Sequence, residues 1–170
     1  MALRPMLSRL IPGPFLPMGL LLVLLTGTAA MADKAAAKIG PDPALSPAAV
    51  VQLQLAALAK VDQPVRDAGF AVVFGFASPG NQGQTGPLPR FAKMLRDGYP
   101  EMLNHRSATL APLISEGNQA LQGVELIDRS GLSHRYVFQL SKQTEGKYKD
   151  CWLTDSVIQA PEEGGPEVAI

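Results

Sequence analysis

The side chains with the greatest chemical reach in this sequence are His105, Asp155, Tyr99 and two arginines, Arg90 and Arg106. A histidine moves protons near neutral pH, and a carboxylate drawn into apolar surroundings has its pKa raised toward the range of a general base. Asp155 stands in the run Cys151-Trp152-Leu153-Thr154-Asp155-Ser156-Val157, where strand alternation puts it on one row with Cys151, Leu153 and Val157. With Asp155 as base and His105 as acid, the pair suits an isomerase or dehydratase acting on a small carbonyl compound. Taken as a set, Arg90, Tyr99, His105, Arg106 and Asp155 would instead orient a bound ligand. A structural reading uses the same residues: Asp155 ion-pairs with Arg90 or Arg106 where helices meet sheet, and His105 satisfies a backbone carbonyl. Structural and ligand-orienting roles are the expectation and catalysis the alternative, so whether the chain is an enzyme stays open.

Other chemistries fall away on residue type and spacing. His105 and His134 have no paired His or Cys at ligand spacing, so no metal is expected, and nothing calls for a cofactor. Gly80-x-x-Gly83-x-x-Gly86 invites comparison with a phosphate loop. It lacks the following Lys-Ser or Lys-Thr and does not join a strand to a helix, so it reads as a shaped surface loop. There is no G-x-S-x-G elbow. Cys151 is the sole cysteine, which rules out an intramolecular disulfide and suits a small buried apolar residue.

The elements that position these residues begin after a leader. Arg4 and Arg9 precede the apolar run Leu20 to Leu25, and small residues follow around Ala30-Met31-Ala32, the pattern of a signal peptide over 1–32. The run is shorter than the ~20 residues of a membrane-spanning helix, and Pro12, Pro14 and Pro17 shorten it further, so membrane attachment is expected only if the leader stays uncleaved. Export to a periplasm, a lumen or the medium follows. Cleavage leaves 13 basic against 15 acidic residues, a formal charge of −2, which gives no electrostatic reason to expect nucleic acid.

Residues 33–45 are small, polar and proline-bearing and read as a tether, and the domain is expected over 46–158. Ser46-Pro47 starts a helix that carries Val50, Val51, Leu53, Leu55 and Leu58 to about Lys60. A second helix is expected from Pro64 or Val65 to Ala77, buried on more than one face, followed by a loop over 81–87. A third runs from Pro87 to Arg96, ended by Asp97-Gly98, with one further turn near Pro100 to Leu103. From Arg106 the period changes to two. Turn signals then divide the chain into strands near 106–115, 120–128, 133–143 and 148–158. Tyr136, Phe138 and Leu140 share one face, as do Val124 and Leu126, while Tyr148, Trp152 and Ile158 form the second row of the last strand. Residues 159–170 are acidic and rich in Gly and Pro, and read as a disordered tail. The class is α+β: N-terminal helices packed on a curved four-stranded antiparallel sheet.

One family has this pattern. Phe76-Ala77-Ser78-Pro79-Gly80-Asn81, Thr85-Gly86-Pro87, Arg90-Phe91, Met94, Tyr99, His105-Arg106 and the run Cys151 to Val157 together resemble the proteins catalogued as domain of unknown function 4864, over roughly Ser46 to Ile158. The layout is similar to the nuclear transport factor 2-like (ketosteroid isomerase/cystatin-like) superfamily, and that resemblance implies a curved sheet and helices enclosing a conical pocket. The superfamily includes ketosteroid isomerase, scytalone dehydratase, polyketide cyclases and many non-enzymatic members, so fold alone does not choose a function. None of those enzymes' motifs matches here. The expected function is a non-catalytic module that binds a small apolar ligand or a protein partner in the cone, with the Asp155 and His105 enzyme as the alternative. A homodimer through the outer sheet face, with Trp152 or Tyr148 exposed there, is a further expectation.

Overall fold

The computed structural model describes residues 39–161, so the expected leader, the first part of the tether and the tail from residue 162 onward lie outside the described residues. The tether ends earlier than residue 45. Asp42 Oδ1 accepts from the Ala44 N–H at 2.8 Å and the Asp42 carbonyl from the Leu45 N–H at 3.0 Å, a turn that sets Leu45 against the core.

Helix α1 (Pro47–Leu58) forms as its start signal requires, with the Ser46 hydroxyl accepting from the Ala49 N–H at 3.2 Å and Pro47 in the first turn. Val50, Val51, Gln54, Leu55 and Leu58 recur at helical spacing on its buried face. Helix α2 (Ala68–Gly75) starts later than 64–65. Asp62 Oδ1 accepts from the Asp67 N–H at 3.0 Å, and Asp67 takes a left-handed φ of 66°, so the chain turns once more before the helix can begin.

The expected loop over 81–87 is instead helical. Helix α3 (Pro79–Thr85) repeats the Ser-Pro start of α1: the Ser78 hydroxyl accepts from the Asn81 N–H at 3.3 Å. Glycine disfavours helix, yet Gly80 and Gly83 are held there by bonds to neighbouring elements. Gln82 Nε2 donates to the Phe74 and Ala77 carbonyls at 2.8 and 3.0 Å and Asn81 Nδ2 to the Thr154 carbonyl at 3.1 Å, while Thr85 Oγ1 adds a bond within the helix, to the Asn81 carbonyl at 2.7 Å. Helix α4 (Leu88–Gly98) and the 3-10 turn Pro100–Met102 lie where the sequence puts them.

Among the described residues five antiparallel strands, one more than expected, form an open sheet: β1 (Ser107–Leu110), β2 (Ile114–Glu116), β3 (Gln119–Ile127), β4 (Ser133–Lys142) and β5 (Trp152–Gln159). Their order is β1-β3-β4-β5, with β2 also pairing β3. The expected strand 106–115 is cut in two around Pro112, which has no N–H for a ladder. At the other end, Asp150 turns with φ 66°, so β5 begins at Trp152 and not at residue 148. It continues past 158: Gln159 pairs with Tyr136, and the Ala160 N–H donates to the Arg135 carbonyl at 2.8 Å, so the ordered chain overlaps the expected tail.

The class is α+β, as expected. The helices cover one face of the sheet, where Ala120, Val124 and Leu126 of β3 and Tyr136, Phe138 and Leu140 of β4 pack against Val50, Val51, Leu55, Leu58, Phe70, Phe76 and Phe91. The expected rows of β3 and β4 are the buried ones. The row expected in β5 does not hold together, because of a bulge: Cys151 and Leu153 are buried, whereas Asp155 and Val157 are half-buried.

Candidate functional site

In β5 the ladder runs Leu140 to Thr154 and Gln139 to Ser156, which leaves Asp155 as an extra, unpaired residue. A bulge of this kind breaks alternation. Directly paired residues share a face, so Trp152, Thr154 and Val157, opposite Lys142, Leu140 and Phe138, belong to the helix-covered side. Leu153, Ser156 and Ile158 pair with Ser141, Gln139 and Val137 on the other side. The expected single row of Cys151, Leu153, Asp155 and Val157 therefore does not exist. Trp152 packs against the core and Tyr148 is half-buried under Lys147, so neither supplies the exposed outer-face aromatic expected for a dimer. The exposed apolar side chains include Ile114 and Leu121, paired across β2 and β3, and Ile158 of β5.

Beside the bulge, the segment after α2 docks on β5. Thr154 N–H donates to the Phe76 carbonyl at 2.8 Å, Ser78 N–H to the Thr154 carbonyl at 2.9 Å, and Asn81 Nδ2 to that same carbonyl at 3.1 Å. These bonds occupy backbone groups that an edge strand would otherwise leave open. They also hold α3 over the end of a cavity of about 190 Å³ between the helices and the sheet.

The walls of the cavity are apolar: Leu58 from α1, Val73 from α2, Phe91, Met94 and Leu95 from α4, and Phe138 and Val157 from the sheet. Its polar lining comes from Gln54, Thr154, Asp155, Ser156, Tyr99 and the α3 residues Asn81, Gln84 and Thr85. Gln54 and Thr154 are 1% and 2% exposed, and Gln54 Nε2 donates to Thr154 Oγ1 at 2.8 Å across 100 residues of chain. The Tyr99 hydroxyl reaches toward the Val157 carbonyl at 3.4 Å, and the Ser156 hydroxyl donates to Gln139 Oε1 at 2.6 Å.

Of the expected site residues, Tyr99 and Asp155 share this cavity. His105 lies elsewhere: it is buried, its Nδ1–H donates to the Met102 carbonyl at 2.8 Å, and it borders a separate open depression between α1 and β1. The strand order explains the separation. His105 leads into β1 at one edge of the sheet and Asp155 sits in β5 at the other, three strand spacings or roughly 14 Å across. Asp155 and His105 thus do not form an acid–base pair around one cavity. Arg90 and Arg106 are exposed and line neither space, and neither forms an ion pair with Asp155. Sequence reasoning missed Gln54 and Thr154. A polar residue in the buried phase of α1 was a usable signal for Gln54, whereas the position of Thr154 depends on the bulge.

A second polar group sits on the inner face at the end of β4. Asp128 Oδ1 accepts from the Ser130 hydroxyl at 2.6 Å and from the Ser130, Gly131 and Leu132 N–H groups at 2.8 to 2.9 Å, while His134 Nε2 donates to Oδ2 at 3.0 Å. The Ser130 hydroxyl leads these donors in holding the Asp128 carboxyl well below the usual carboxylate range, against the opposing push of burial. His134 Nδ1 and the Tyr136 hydroxyl are buried with no hydrogen-bond partner in the structure. Burial, helped by Glu101, pushes the Tyr136 phenol up to about 12. Cys151 is buried, and burial pushes its thiol up, which disfavours the nucleophilic thiolate. Among the described residues no group of three or more His, Cys, Asp or Glu is placed to hold a metal ion, and no helix is long and apolar enough to cross a membrane.

Comparison with known proteins gives one family. The model described as Domain of unknown function (DUF4864) matches residues 44–164, which bears out that resemblance over the domain. No curated protein and no solved structure matches the chain.

Proposed function

We propose, on the premise that this chain belongs to the family described as Domain of unknown function (DUF4864), that it is a non-catalytic module that binds a small molecule between its helices and its sheet. The observation that carries this reading is the cavity of about 190 Å³, walled by apolar side chains and furnished with a few polar ones. An apolar cavity of about 150 Å³ accepts benzene, so this one has room for a single ring with a short substituent. A conical, nuclear transport factor 2-like arrangement is part of the proposal, supported by helices that cover one face of an antiparallel sheet with the cavity between the two layers. Export after cleavage of the leader is also part of it, supported by the basic and apolar pattern of residues 1–32.

The test is a thermal-shift and ligand-observed NMR screen of the purified chain against single-ring compounds. At least one compound is expected to raise the melting temperature by several degrees. Val73→Phe, which fills the cavity from α2, is expected to abolish that shift while the protein still unfolds cooperatively. A screen with no binder, or binding that survives Val73→Phe unchanged, would defeat the proposal.

A further inference from the structure

The geometry points to a specific class of ligand: an uncharged, single-ring-sized molecule whose head group both donates and accepts hydrogen bonds, such as a primary carboxamide or a hydroxyl, seated on Gln54 and Thr154. This rests on the ligand-binding reading above and narrows it. Gln54 Nε2 donates to Thr154 Oγ1 at 2.8 Å and faces the Val50 carbonyl at 3.4 Å, which fixes which end of the amide is nitrogen. Its Oε1 accepts no hydrogen bond from the described residues, and the Thr154 hydroxyl, having accepted one, has no acceptor for its own proton. Two neighbouring side chains, each at least 98% buried and both lining the cavity, therefore leave one acceptor and one donor unanswered. A carboxamide or hydroxyl answers both at once.

Charge excludes the rival classes. The lining holds no Lys, Arg or His, and its one carboxylate is Asp155. A carboxylate or phosphate would be desolvated without a counter-ion and repelled by Asp155. A cation would be drawn toward Asp155, which is partly exposed, and away from the buried pair, where it would replace an acceptor–donor match with two donors facing each other. The apolar walls of Leu58, Val73, Phe91, Met94 and Phe138 take the ring.

Calorimetric and NMR titration of the full chain with benzamide, toluene, benzoate and benzylamine separates these cases. Benzamide is expected to bind about tenfold more tightly than toluene, and benzoate at least tenfold more weakly than benzamide. Gln54→Leu and Thr154→Val are each expected to weaken benzamide about five- to tenfold and to leave toluene within about twofold, so toluene reports that the cavity is intact. If either variant does not fold, the order of the four probes on the unaltered protein decides alone. Benzoate or benzylamine binding as tightly as benzamide overturns the inference and leaves the ligand-binding reading standing, as does an equal loss of benzamide and toluene in the variants. If none of the four probes binds, the inference falls. If the wider screen finds no binder either, the ligand-binding reading falls with it.

Discussion

The Tyr136 hydroxyl is buried without a partner, a placement that costs about 1 to 3 kcal/mol when such a group is left unpaired. Tyr136→Phe is therefore expected to raise stability at neutral pH by about 1 kcal/mol, read from the urea midpoint. The raised phenol pKa adds an alkaline signature. The group is protonated in the folded state up to about 12, so its contribution is complete below pH 10 and is lost as pH rises from 10 through 12. The Phe variant should lack that alkaline loss. Asp128 behaves in the opposite sense, because its folded pKa is depressed below the usual 3.8. Its contribution is present above that value and is lost as pH falls below it. Asp128→Asn is expected to be less stable than the unaltered chain at pH 7, with the gap closing below pH 4 in acid-unfolding curves. At this scale the sequence was only partly readable. Tyr99 and Asp155 both line the cavity, but alternation puts Asp155 on an apolar row that the bulge removes, and an inserted residue leaves no signature in side-chain type.

Helices α1 and α2 meet at Gly69, where a Cβ would lie 2.4 Å from the Ala57 carbonyl oxygen and 2.8 Å from the Val61 Cα. Both obstacles are backbone, so the helices would have to separate. Gly69→Ala is expected to destabilise by about 1 to 3 kcal/mol, measured as a lowered urea midpoint with unchanged slope. Start signals were the most legible feature of the elements. Ser46-Pro47 gave α1, and Ser78-Pro79 carried the same instruction for α3, outweighed in sequence reasoning by Gly80, Gly83 and Gly86. Gly80 and Gly83 are helical because Asn81 and Gln82 are bonded to β5 and to the end of α2, contacts that no local pattern encodes, while Gly86 ends the helix in an extended conformation. Pro112 was equally visible, yet its effect was to split one strand into two.

For the molecule as a whole, the α+β class and the buried rows of β3 and β4 follow from periodicity, because helical and strand spacing register burial directly. Strand order follows as well: with β1 and β2 as the two halves of the expected first strand, each strand pairs with the next in sequence. That order puts His105 and Arg106 at the opposite edge from Asp155, which the side-chain types alone do not show. The bond from Gln54 in α1 to Thr154 in β5 has a consequence in time. It closes a loop of 100 residues, with one partner near the start of the domain and the other in its last strand. On a chain made from its N-terminus, α1 emerges carrying a polar side chain in its apolar stripe 100 residues before the partner for it. The cavity floor therefore cannot close until β5 has been made, and the domain completes its core only once that strand is available.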